Sequence, residues 1–459
     1  MFSYMKQGPG FYREVARLAS PIMLQYVITN TLGLADTFMV GLLGEAPMAA
    51  VALANIPLFV VMLFFFGSQS GSMVLFSQYW GKKDLESINR VAGVAMYAVL
   101  GASLTVAAVL WVCPEQFLGL FNNDPEVVRL AAQYGRLAGL SYVFDSVCMI
   151  YLAAYRSMEK PKLGTWILGV SMMVNTFLNW VFIFGNLGAP ALGVEGAALA
   201  TLIARMLELL IVLGHSMTTK GYRLKPALLL RPGRDMVQRF LKYASPVIVN
   251  ETLWGMGYSA VPAIMGHMAG STEILAAYTV ANNLEKLVLA AGSGLAGTAA
   301  ILVGREIGAG RSKDEVYSKA LAMSTLGGMS GVVVGILLWL FTWFVARAWM
   351  FPLLKLSDRT AAIVLLMMAR MCEVMPIRNL SRVNATGILR GGGDVTAAMY
   401  IELIPLWVFA IPYAAVCGLV LELGISWVYM VFWVEQIVKM IMSVHRLRSR
   451  KWIRDITRD

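Results

Sequence analysis

AAVALANIPLFVVMLFFFGSQSGSMVLFSQ (residues 49–78) runs for thirty positions without an acidic or basic side chain. As an α-helix it would be about 45 Å long at 1.5 Å per residue, more than the roughly 30 Å hydrocarbon core of a bilayer requires. It shows no strand alternation, and an open sheet cannot span lipid because its edge groups would find no partners there. The stretch therefore reads as a membrane-spanning helix. Working outward, eleven similar apolar runs, bounded by Gly, Pro or charge clusters, lie at 15–41, 91–112, 128–153, 163–186, 193–214, 240–268, 277–304, 317–344, 361–389, 395–419 and 424–444. Twelve spans in 459 residues leave no room for a soluble domain.

Composition points the same way. Hydrophobic residues make up 58% of the chain and charged residues 14%, against about 25% charged in soluble domains, so much of the surface has to face lipid. The net charge of +11 could suggest a nucleic-acid partner, but the basic residues sit in short links between apolar runs, which marks topology instead. Cys113, Cys148, Cys372 and Cys417 lack CxxC spacing, so neither a zinc site nor a disulfide framework is expected. His215, His267 and His445 are too dispersed for a metal site, and no HExxH or GxSxG occurs. No cofactor and no enzyme chemistry are expected. The start, MFSYMKQGPGFYREVARLAS (1–20), lacks the short apolar core and small-residue cleavage site of a cleaved signal, so the first span is expected to insert the chain.

Lys and Arg counted link by link set the orientation. The N-terminal segment and the even-numbered links hold most of them: Lys82, Lys83 and Arg90; Arg156, Lys160 and Lys162; Lys220, Arg223, Lys225, Arg231, Arg234 and Arg239; Arg305, Arg311, Lys313 and Lys319. The odd-numbered links are short, and neutral or acidic, except the ninth with Arg347, Lys355 and Arg359. Both termini are thus expected in the cytoplasm of a multi-pass protein of the cell (inner) membrane. The tail from Arg446 onward is expected to lie on the cytoplasmic leaflet, where each basic residue contributes on the order of 1 kcal/mol against anionic lipid.

The two halves repeat. Ala19-Ser20-Pro21 is expected to open the first helix, and Ala244-Ser245-Pro246 the seventh, 225 residues later. The second helix, ending SQYWGKKD (77–84), matches the eighth, ending GREIGAGR (304–311); the link YRSMEKPK (155–162) matches LRGGGDVT (389–396), placing Arg156 on Arg390. Six helices per half is an even number, so both halves insert the same way round and the repeat is parallel. The expected organisation is an N-terminal six-helix lobe (1–214), a cytoplasmic linker (215–239), a C-terminal six-helix lobe (240–444) and a basic tail (445–459). The fold class is all-α and polytopic, with two pseudo-symmetric bundles and a substrate cleft between them.

These residues resemble the multidrug and toxic compound extrusion (MATE) family over nearly the whole chain. The resemblance rests on LADTFMVGLLG (34–44), the paired Ser-Pro dipeptides, VNTFLNWVFIFGNLGAPALGVEGAALATLIAR (174–205) and ILRGGGD (388–394), in this order on a duplicated twelve-helix frame. It implies a V-shaped pair of lobes and cation-coupled export of organic, often cationic, compounds.

A carboxylate near the bilayer centre costs roughly 2.5–3.5 kcal/mol on insertion scales, and Asp36 sits in the middle of the first apolar run. Its candidate compensators are Asn175 and Asn179, four apart on one face of the fifth helix, and Thr201, midway along the sixth. Carboxylate, amide and hydroxyl oxygens suit one small hard cation. They suit a proton equally, since burial favours the neutral form of a carboxyl group. The choice between Na⁺ and H⁺ stays open, with Na⁺ the one metal ion considered. In the resembling family the matching positions form the cation site of the N-terminal lobe, although some members have a carboxylate where this chain has Asn179. Pro21, some four turns before Asp36, either bends the helix as the acid changes occupancy, which the resemblance implies, or simply stands near its start.

The second half holds more charge: Glu251, Glu285, Lys286, Glu373, Arg378, Arg382, Glu402 and Glu435. Arg378 and Arg382 need partners at membrane depth, and Glu251 or Glu285 is expected to supply them. The network either locks the lobe or binds a cationic substrate or a second ion. Relatives in one branch carry an acid at the position of Asn379. Asp145, its repeat counterpart, is a candidate for the cavity of the first lobe. The leading expectation is a monomeric secondary antiporter that takes small molecules, with membrane lipid as its other partner. A lipid-linked precursor flippase, holding an anionic headgroup on Arg378 and Arg382, is the alternative, and an intramembrane enzyme the reading from another class.

Overall fold

A computed structural model describes residues 3–354 and 356–458, so Lys355 lies outside the described residues. Twelve long helices follow one another: α1 (Pro9–Gly41), α2 (Glu45–Gly81), α3 (Leu85–Val112), α4 (Pro125–Ser157), α5 (Lys162–Phe184), α6 (Val194–Thr218), α7 (Arg234–Gly266), α8 (Ser271–Gly308), α9 (Lys313–Met350), α10 (Asp358–Leu389), α11 (Val395–Val420) and α12 (Ile425–Arg448). No strand occurs among the described residues. Ten of the helices, counting Val288–Gly308 of α8, are long and apolar enough to cross a membrane. The other two, α1 and α7, have 33 residues each, about 50 Å of helix. They are more polar because they carry groups that the protein itself buries, among them Gln25 and Asn250.

Both of these helices start earlier than the apolar runs suggest. α1 begins at Pro9, where a proline fits the first turn of a helix, and α7 begins at Arg234. Ala19-Ser20-Pro21 and Ala244-Ser245-Pro246 therefore lie inside helices and do not open them, and Pro21 is an interior proline. The early turns hold Arg13, Glu14 and Arg17, or Arg234, Asp235 and Arg239, and hydropathy does not register such polar turns.

Side-chain caps fix several entries. Asp84 accepts from the Ser87 amide before α3, Asp124 from the Glu126 and Val127 amides before α4, and Ser357 from the Thr360 amide before α10, each satisfying helix donors that lack an internal partner. α5 stops at Gly185, whose φ of 73° suits a residue without Cβ.

Packing repeats between the halves. In the first, α4 packs on α2, α3 and α6, and α5 packs on α6; in the second, α10 packs on α8, α9 and α12, and α11 packs on α12. The fourth helix of each half is thus the central one. The chain divides into two compact units, Leu24–Ile248 and Met1–Met23 with Val249–Asp459. Each point of division falls within a long helix, α1 or α7. In the first unit, Gly135 and Gly139 of α4 let Leu110 of α3 approach, and Gly67 and Gly71 of α2 admit Ile248 and Ala244 of α7 so closely that an added Cβ would overlap their backbone.

Residues 449–456 fold back onto the link between α10 and α11. Trp452 and Ile456 are fully buried, the Trp452 indole N–H donates to the Leu447 carbonyl at 2.9 Å, and the Arg454 amide donates to the Gly392 carbonyl at 3.0 Å. Gly392 and Gly393 lack a Cβ where one would overlap Trp452 and Ile456. Arg446 and Arg454 lie 2.6 and 3.5 Å from Asp394, and Arg450 lies 2.5 Å from Asp314. Burial of the two apolar side chains holds the tail against the link. Trp452→Phe keeps a ring but loses the bond to Leu447, and should lower stability by about 1 kcal/mol, read as a modest fall in Tm of the purified protein.

Candidate ion and substrate site

Three polar residues and a glycine of α1 share one face. Gln25, Thr29, Gly33 and Asp36 follow steps of four, four and three, which a helix of 3.6 residues per turn aligns. All four line a cavity of about 450 Å³ within the unit Leu24–Ile248, in the size range of small-molecule sites. α2 contributes Asn55, Phe65, Phe66 and Gln69; α4 contributes Ser141, Tyr142, Asp145 and Arg156; α5 contributes Ser171 and Asn175; α6 contributes Thr201, Arg205 and Glu208.

The structure brings Asp36, Asn175, Asn179 and Thr201 together. Asn179 Nδ2 donates to Asp36 Oδ1 at 2.6 Å and lies 3.1 Å from Asn175 Oδ1. Asn175 Nδ2 donates to Thr201 Oγ1 at 3.1 Å, and that hydroxyl donates to the Ala197 carbonyl at 3.0 Å. Asn175 and Asn179 are buried, and Asn179 Oδ1 has no hydrogen-bond partner. No ion pair involves Asp36 among the described residues, because the nearby Arg205 is turned to Asp145 at 3.3 Å and to Glu208 at 2.7 Å. A carboxylate without a cationic partner, beside an amide oxygen without a donor, is a donor set that fits a small hard cation. No group of three or more His, Cys, Asp or Glu side chains that could hold a metal ion occurs among the described residues.

Asp145 does line this cavity, paired with Arg205. Three further cavity residues escaped the sequence reading. Arg205 and Glu208 lie inside the apolar run 193–214, where any charge is costly, and that cost was the signal that marks them. Arg156 was read as a marker of the link after α4, yet it is in the last turn of α4 and donates to Gln25 Oε1 at 2.6 Å.

In the other unit the charges pair among themselves. Arg378 pairs with Glu285, both of whose carboxylate oxygens lie 3.1 Å from the Tyr258 hydroxyl. Trp254 stacks on Tyr258 at 5.2 Å. Of the two expected partners Glu285 serves Arg378, while Glu251 holds Arg390 at 2.7 Å. α8 presents Glu285 to Arg378 but Ser293, at 3.0 Å, to Arg382. Lys439 lies 3.1 Å from both Glu402 and Glu435, and Glu373 pairs with Arg370 at the surface. Asn379 is fully buried and donates to Ser330 at 3.3 Å. Arg378 is paired with Glu285, whereas Arg382 faces the neutral Ser293 hydroxyl.

The MatE family model matches residues 21–181 and again residues 246–416, one match to each half. The chain is 26% identical over 444 residues to the uncharacterized transporter YisQ of Bacillus subtilis, covering 95% of this chain and 94% of that one. It is 23% identical over 452 residues to the probable multidrug resistance protein NorM of Thermotoga maritima, covering 97% and 94%. Its fold is similar to that of a multidrug resistance MATE family transporter of the MOP superfamily solved in an outward-facing conformation, with a TM-score of 0.85, 18% identity and 98% of each chain covered.

Proposed function

The chain belongs to the MatE family, and from that membership we propose that it is a secondary active antiporter exporting organic compounds, with Asp36 as the group that couples export to a cation. Multidrug resistance proteins among its relatives support export. The observation that carries the role of Asp36 is its position in a cavity of about 450 Å³, hydrogen-bonded to Asn179 and free of any ion pair among the described residues. Entry of Na⁺ or H⁺ neutralises the carboxylate and favours one arrangement of the protein. An empty Asp36 favours the other. Coupling requires the ion to bind these arrangements with different affinity. Asn175, Asn179 and Thr201 supply the remaining oxygens to Na⁺, or hold the protonated acid.

Pro21 has a place in this cycle. It lies inside α1 two residues before Met23, where the chain passes from one compact unit to the other. An interior proline frees a carbonyl and permits a bend, so α1 is the element through which the state of Asp36 reaches the rest of the chain. The basic even-numbered links support a multi-pass protein of the inner membrane with both termini in the cytoplasm. Both halves come from one chain, which supports a monomer in a lipid bilayer.

The reading is tested in cells lacking their major pumps. Expression should lower accumulation of a fluorescent cationic dye; unchanged accumulation of every dye and drug tried, with the protein present in the membrane, would overturn it. Within the site, Asn179→Ala removes both the donor to Asp36 and the unpartnered oxygen. It should raise the coupling-ion concentration for half-maximal export roughly tenfold, the scale of a hydrogen bond to a charged group.

A further inference from the structure

The connector between α6 and α7 gathers positive charge and leaves it without a counter-charge. No acid occurs between Glu208 and Asp235, and within that stretch lie Lys220, Arg223, Lys225, Arg231 and Arg234. All five are exposed, and no ion pair involves any of them among the described residues. Two more cations border the connector, Lys160 beside Gly221 and Arg90 beside Gly233. The basic links of the other unit differ. There Arg305, Arg311 and Lys319 all reach Glu306, and Arg446 and Arg454 reach Asp394. A link whose cations only mark topology tolerates such neutralisation; the connector carries none.

Nor is the connector a loose loop. Its short helix, Pro226–Leu230, lies on α3. Gly93 of α3 has no Cβ where one would overlap the Leu229 backbone, and the Tyr97 hydroxyl donates to the Leu230 carbonyl at 3.4 Å. Just before this helix the Leu224 amide donates to Ser216 Oγ at 2.8 Å, and the Lys225 amide to Asn89 Oδ1 at 3.1 Å. The five cations therefore stand together on a fixed backbone, where like charges repel until an anion lies among them. Apolar side chains stay uncovered beside them: Leu230 is 66% exposed, and Met217, in the last turn of α6, is 79% exposed.

We propose that residues 217–234 form a docking surface for anionic phospholipid of the leaflet they face, with the five cations on headgroup phosphates and Leu230 at the start of the acyl layer. Cations mixed with exposed apolar side chains, next to the end of a membrane span, are the composition of an interfacial anchor. A polyanion in water meets the charges and leaves Leu230 and Met217 wet. An anionic phospholipid meets both. The proposal does not depend on what the protein exports.

The test offers the full chain, purified in a neutral detergent, equal amounts of phosphatidylglycerol and phosphatidylcholine, and counts bound lipid by native mass spectrometry. Wild type should retain phosphatidylglycerol in preference. A quadruple variant, Lys220→Gln, Lys225→Gln, Arg231→Gln and Arg234→Gln, spares Arg223, which donates to the Thr219 carbonyl. It should lower that preference at least about tenfold, since each basic residue at an anionic surface is worth roughly fivefold in affinity. An unchanged preference overturns the proposal. Should the variant fail to fold, hydrogen exchange of the wild-type protein in nanodiscs decides. Phosphatidylglycerol must slow the connector amides relative to phosphatidylcholine alone, and equal exchange in the two overturns the assignment. Slowing by RNA or by glycerol 3-phosphate in phosphatidylcholine nanodiscs, where phosphatidylglycerol gives none, would assign the surface to a soluble anion and overturn it as well.

Discussion

Asp36→Asn should reduce dye efflux to the level of cells without the protein, at unchanged abundance in the membrane. The substitution keeps the side chain's size and can still accept from Asn179, whose amide lies 2.6 Å away, so the site keeps its shape. What it removes is the charge. A ligand shifts an equilibrium only by its differential affinity for the two states, and a neutral amide offers neither Na⁺ nor H⁺ a reason to prefer one arrangement. The remaining charge of the cavity, on Asp145, Glu208, Arg205 and Arg156, is untouched, so substrate binding should survive in the variant. Binding measured alongside efflux separates the two roles: loss of efflux with retained binding is expected, and loss of both would make Asp36 a substrate ligand instead of the coupling group.

The second large effect concerns stability. Glu285→Gln leaves the Arg378 guanidinium buried without its counterion; their side chains are 1% and 6% exposed. Breaking one partner of such a pair typically costs about 3–5 kcal/mol, while replacing both by apolar residues of similar volume is often nearly neutral. Glu285→Gln should therefore lower Tm sharply, and the double change Glu285→Met with Arg378→Met should recover most of the loss. This pattern identifies the charges of the second half as a lock. Intact stability in Glu285→Gln, with export lost, would instead make Glu285 a ligand for a substrate or a second ion.

The spans were legible because each apolar run outlasts the bilayer, and the repeat was legible because Ser-Pro, glycine-rich and basic-link landmarks recur in order. The ends of α1 and α7 were not, since their first turns are as polar as a link. Asp36, Asn175, Asn179 and Thr201 stood out as polar groups in apolar runs, and the structure joins them. Arg205 and Glu208 carried the same signal and pair within α6, but the other partner of Arg205, Asp145, lies on a different helix, and pairing across helices has no mark in a single sequence. The same limit left Glu251 and Glu285 as alternative partners for Arg378 and Arg382; Glu285 holds Arg378, and Glu251 holds Arg390. Trp452 and Ile456 were hidden among arginines, and only Gly392 and Gly393, bare where the tail lies down, hinted at what they receive.

Ion-driven export in proteoliposomes tests the coupling role of Asp36 most directly, with radioactive Na⁺ and internal pH followed during export of a tritiated substrate. One of the two gradients should drive export by the wild-type protein, with that ion moving the opposite way, and neither should drive it in Asp36→Asn. Gradient-driven export that persists in Asp36→Asn, at a rate near that of the wild type, would contradict the account.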